Sequence, residues 1–118
     1  MRLYRIPNIL FTLCLLVFAT GAWAKTAALV VGNDDYSHLP KLNVAVSDAK
    51  AHCDHLKNVR KFDAVSCHFD VTKAEMDRAV LGLLTQLQPG DTAMVVFSGH
   101  CVQLNPADPS PCFCCRQI

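Results

Sequence analysis

The chemistry of this chain converges on "MVVFSGHC", Met94 to Cys101, an apolar run that ends in Ser98, Gly99, His100 and a thiol. An imidazole at the end of a core-like strand, one residue from a cysteine, fits three readings. It could be half of a nucleophilic dyad, a metal ligand, or a strand-end histidine bonded to a nearby carbonyl. A thiol is a poor nucleophile until it ionises; a neighbouring imidazole stabilises the thiolate and later protonates the leaving amine. Cys101 is badly placed for that pairing, because successive residues of an extended chain point to opposite sides. Cys112, Cys114 and Cys115 crowd the end of the sequence. Three thiols without a spaced partner cluster make a weak soft-metal or disulfide site, so no metal and no other cofactor is expected.

The elements that must position His100 follow from hydropathy. "AALVVG", Ala27 to Gly32, is a continuous apolar run closed by glycine and then Asn33, Asp34 and Asp35, the pattern of a strand buried on both faces that runs into a loop. Pro40 breaks that loop before a helix starts. From Asn43, a candidate cap, Ala45, Ala49, Cys53 and Leu56 recur at helical spacing. Val65, Cys67 and Phe69 alternate against Ala64, Ser66 and His68 as a strand does. Thr72 to Glu75 has the form of a capping box, and behind it Met76, Ala79, Val80, Leu83, Leu84 and Leu87 form a helical stripe that Pro89-Gly90 ends. A third apolar strand then leads to His100. Strand, helix, strand, helix, strand with short connections predicts an α/β fold with a parallel sheet, and ligands gather beyond the carboxyl ends of such strands. Asp34, Asp35 and Tyr36 fall on the same rim as Ser98 to His100 and are read as shaping the loop.

Residues 1–24 have the form of a signal peptide: Arg2 and Arg5 lead an uncharged stretch, and Ala22 and Ala24 put small residues where a signal peptidase reads. Cleavage after Ala24 predicts export to a periplasmic or secreted location, with no membrane association afterwards. The apolar stretch is short for a span. Eleven Lys and Arg stand against ten Asp and Glu, a balance that offers nothing to a nucleic acid. An oxidising compartment permits disulfides among the seven cysteines. Cys53 and Cys67, however, sit on core-like segments and read as unpaired small apolar residues. "NPADPSPCFCCRQI", from Asn105, has no periodicity, and residues 106–118 read as an irregular Cys- and Pro-rich tail.

"ALVVGNDDYSHLPKLNVAVSDAKAHCDHL" followed by "GDTAMVVFSGH" resembles the amino-terminal part of the caspase-like cysteine peptidases, peptidase family C14, which includes caspases and metacaspases. The likeness covers Ala27 to about Gln103. It implies a three-layer caspase-like fold, present in part over residues 25–105, acting on polypeptide substrates by cysteine-type endopeptidase chemistry. It also implies that His100 is the catalytic acid/base. The backbone N–H of Cys101, which stands where the family has glycine, would help to hold the oxyanion. Asp48, in "AVSDAK", would line a pocket for a basic substrate side chain, as in the metacaspase-like branch; its alternative is an acid placed for the helix dipole. In caspases the cysteine follows the histidine by about 50 residues, and that count from His100 runs past Ile118. The expectation is therefore a truncated, inactive chain that lacks the nucleophile. The alternative is a non-catalytic caspase-fold module that binds or regulates a caspase-like homologue.

Overall fold

The computed structural model describes residues 23–102 and 113–114. Residues 1–22 of the expected signal peptide and most of the expected tail lie outside them. Strand β1 (Thr26–Gly32) is followed by helix α1 (Ala45–Asp54), which runs on through a π-helical turn at His55–Val59. Strand β2 (Ala64–Phe69), helix α2 (Lys73–Gln86) and strand β3 (Thr92–Ser98) complete the α/β unit. The sheet order is β2-β1-β3, and both pairings are parallel. Gly32 is level with Phe69 on one side and Ser98 on the other, so all three strands end on one rim, as the order of elements predicted.

As the central strand, β1 divides its side chains between two layers. Ala27, Leu29 and Val31 pack with Val71 and Leu83 on the α2 side, whereas Ala28 and Val30 pack with Ala49, Cys53 and Leu56 on the α1 side. This explains why its sequence is apolar without alternation. Complete burial of Leu29 and Val30 stabilises the fold by about 1.5–3 kcal/mol per side chain. At Gly32 a Cβ would sit 2.5 Å from the Ala49 Cβ and 2.8 Å from the Ala45 carbonyl oxygen, so glycine there is what lets α1 close on the strand.

Four expectations are corrected. Asn43 does not cap α1. The cap residue is Val44, with no side-chain bond of its own, and the first helical amides are satisfied from the preceding loop: the Asp34 carboxylate accepts from Ala45 N at 2.8 Å and Val46 N at 3.2 Å. Cys53 and Cys67 are not unpaired apolar residues; they form a disulfide that ties α1 to β2. The stripe on α2 is only partly covered. Leu83 is buried and Met76, Ala79 and Leu87 pack against the core, but Val80 and Leu84 are exposed. The apolar run of β3 is not core throughout: Thr92 to Val95 are exposed, with Met94 and Val95 at 44% and 60%. β3 is an edge strand among the described residues, which accounts for this. The capping box of α2 is present as predicted, with Glu75 N donating to Thr72 Oγ1 and Thr72 N donating to the Glu75 carboxylate. The bonds that Thr72 N and Thr72 Oγ1 donate to the Glu75 carboxylate hold that carboxyl below its ordinary range.

Asn33 is the one fully buried polar residue among those described. Its backbone N–H donates to Ser98 O (3.0 Å), its Nδ2 donates to Val71 O (3.2 Å), and its Oδ1 accepts from Val71 N (3.0 Å). Asn33→Ala strands both Val71 groups in the core. It is expected to lower stability by about 2–4 kcal/mol, since each buried orphan costs roughly 1–3 kcal/mol. Chemical denaturation of the two proteins checks this, and an unchanged midpoint would contradict it.

Candidate active site

The rim at the carboxyl ends of the strands is built by loops bonded to one another. Asp70, which adopts positive φ (49°), donates its N–H to Gly32 O at 2.9 Å. Its carboxylate accepts from Asp34 N at 2.8 Å and Asp35 N at 2.9 Å. The loop after β1 is thus locked to the loop after β2. Leu42 N returns to Asp34 O (2.9 Å), and Asp35 pairs with Lys41, whose ammonium is held above its ordinary pKa by that bond. These contacts fix both ends of the segment that carries Pro40.

His100 is set into this frame from both sides. Its backbone N–H donates to the hydroxyl of Tyr36 (3.0 Å), a residue that is itself buried. The two rings meet edge to face with centroids 4.8 Å apart. His100 Nε2 lies 2.8 Å from Pro40 O. A carbonyl oxygen only accepts, so Nε2 carries the proton and donates, and Nδ1 of the neutral ring is left with its lone pair. A base oriented by a third group is the arrangement that nucleophilic catalysis requires. Gly99 is dictated by space, because a Cβ there would collide with the Tyr36 hydroxyl and approach the Phe97 ring to 2.9 Å.

The expected site residues do not all share one cavity. Asp48 is exposed on the first turn of α1 and lines a cleft of about 550 Å³ with His52, His55, Phe97 and Ser98. That cleft reaches the end of β3 but does not include His100, which faces Tyr36 and Pro40. Cys101 is exposed and opens a two-residue strand, β4 (Cys101–Val102), antiparallel to β5 (Phe113–Cys114), with Cys101 opposite Cys114. Part of the tail expected to be irregular is therefore paired here; Cys112 and Cys115 lie outside the described residues. Among the described residues no group of three or more His, Cys, Asp or Glu is gathered as a metal would need. Sequence reasoning missed Asn33 and Tyr36 as the residues that place His100. The signal for Asn33 was a polar residue directly after a fully apolar strand.

A parallel α/β sheet that gathers its loops, and an oriented imidazole among them, at the carboxyl ends of its strands is the class of scaffold these residues define. Residues 25–116 match the family model of the caspase domain, peptidase family C14, and the chain belongs to that family. The family's chemistry is directed at polypeptides. Searches of curated proteins and of solved structures returned no match.

The tautomer is open to test. At alkaline pH, nitrogen chemical shifts are expected to place the His100 proton on Nε2. A ring protonated on Nδ1 instead would be incompatible with the bond to Pro40.

Proposed function

We propose that this chain carries the acid/base half of an exported, metacaspase-like cysteine endopeptidase site, specific for substrates with a basic side chain before the scissile bond. The observation that supports it best is the bond from His100 Nε2 to Pro40 O, which leaves Nδ1 for proton transfer. In the reaction, a thiolate attacks the scissile carbonyl, the imidazolium gives its proton to the leaving amine, and water then resolves the acyl-thioester. The backbone N–H of Cys101 is the candidate oxyanion donor. Asp48 is the candidate partner of the Arg or Lys side chain, since its cleft meets the end of the strand that leads to His100. Export is supported by the Cys53–Cys67 disulfide, which forms and persists in oxidising compartments.

Among Cys53, Cys67 and Cys101, no thiol is placed to serve this imidazole. Cys53 and Cys67 are joined to each other, and Cys101 follows His100 directly in the chain. On this reading the chain by itself is expected not to hydrolyse Arg- or Lys-containing peptide reporters. Turnover that disappears in His100→Ala would overturn this.

A second reading, a non-catalytic module that pairs with a caspase-like homologue, is favoured by the edge position of β3 and the exposure of Met94 and Val95. It predicts self-association or binding to a full-length relative. Sedimentation that finds only the monomer, alone and in the mixture, would remove it.

A further inference from the structure

The amino end of the sheet, opposite the candidate active site, is held by carboxylates. Asp91 Oδ1 accepts from Lys25 N at 2.8 Å while its Oδ2 accepts from Gln88 N at 2.9 Å, and Lys25 O accepts from Thr92 N at 2.8 Å. Asp63 does the same one residue further on, accepting from Thr26 N at 2.7 Å and from Thr26 Oγ1 at 2.9 Å. Backbone donors hold both carboxyls below their ordinary range. Among the described residues, the first backbone bond is thus made by Lys25. Immediately before it, Trp23 is 93% exposed and Ala24 is exposed. The sequence places its small residues, Ala22 and Ala24, at the third and first positions before the Ala24–Lys25 bond.

We propose that Lys25 is the first residue of the processed protein and that its new α-ammonium is received by the Asp91 carboxylate. The inference rests on the export reading. An endopeptidase of the export machinery breaks the Ala24–Lys25 C–N bond with one water. The hydroxyl goes to the Ala24 carbonyl carbon, a hydrogen goes to the Lys25 nitrogen, and the resulting amine takes a further proton from solvent near neutral pH. The donor that already points at Asp91 as an amide then points there as a cation, so a neutral hydrogen bond becomes a charge-assisted one without movement of the strand. Thr26 remains held by Asp63. Only the residues before the clamp depart, so processing leaves every bond of the sheet in place.

The test is expression of the full chain in an export-competent bacterial host, followed by amino-terminal sequencing and timed labelling with an amine-reactive acyl reagent. Labelling of the α-amine is mapped by mass spectrometry. The expected result is a chain that begins at Lys25. Its α-amine should react about threefold more slowly than in Asp91→Asn, because the carboxylate favours the protonated form, which does not attack the reagent. The difference should shrink in molar salt, as the site is exposed and screened. The asparagine removes the charge and keeps one oxygen, which can serve only one of the two donors, Gln88 N or Lys25 N; should this variant fail to fold, the salt dependence of the unaltered protein decides the question. A retained leader overturns the export reading and the processing site with it, whereas a different first residue overturns the processing site alone. A chain that begins at Lys25 but labels at a rate indifferent to salt and to Asp91→Asn overturns the pairing alone. Neither readout depends on peptidase activity.

Discussion

The structure depends on a single buried amide. Asn33 follows the last residue of β1 and uses both ends of its side chain on Val71, while its backbone N–H reaches Ser98. In effect the side chain imitates a peptide group and continues the sheet past the end of its central strand. Two neutral bonds to Val71 and one to Ser98 bring together the loop after β2 and the end of β3, which the chain keeps 27 residues apart. A buried amide of this kind is stable only when its donors and acceptor are matched, so the arrangement admits few alternatives. Everything on the rim is hung from it: Asp70 next to Val71 holds the amides of Asp34 and Asp35, Asp34 caps α1, and Tyr36 meets His100.

The two ends of the sheet are stabilised by different physics. At the carboxyl rim the deepest partners are neutral, and charge enters through loop aspartates that accept from backbone N–H groups and through the exposed Asp35–Lys41 pair. At the amino end the ties are exposed bonds to carboxylates, Asp63 accepting from Thr26, the first residue of β1, and Asp91 from Lys25 just before it. Exposed bonds are screened and individually weak. The amino end thus tolerates a change at the chain start, whereas the carboxyl rim does not tolerate disruption of Asn33.

The sequence made some of this legible and hid the rest for identifiable reasons. The five elements and the shared rim could be read because burial on both faces of β1, the helical stripe from Ala45 to Leu56 and the capping box at Thr72 are local patterns. The cap of α1 was misread because its acceptor, Asp34, lies eleven residues before Ala45 and reaches it only through the folded loop. Cys53 and Cys67 were read as unpaired because a core cysteine and a bridged one look alike until the helix is laid on the strand. His100 could be singled out from its place at a strand end. The residues that orient it, Tyr36 and Pro40, are about sixty positions away and carry no local mark of that role.

The bland and the catalytic readings of His100 are not competitors. A strand-end histidine bonded to a backbone carbonyl is what the bland reading describes, and the bond from Nε2 to Pro40 O is that bond. Yet a base must be oriented before it is useful, and a carbonyl is the partner that fixes the proton on one nitrogen and leaves the other as acceptor. The burial along β3 has the same sense. Its first four residues are exposed, but Val96 packs toward α1 and Phe97 toward α2, so the strand is covered where it approaches the histidine and bare where it does not. The orientation of the imidazole is therefore set by contacts within the described residues, independent of whatever lies against the open length of the strand.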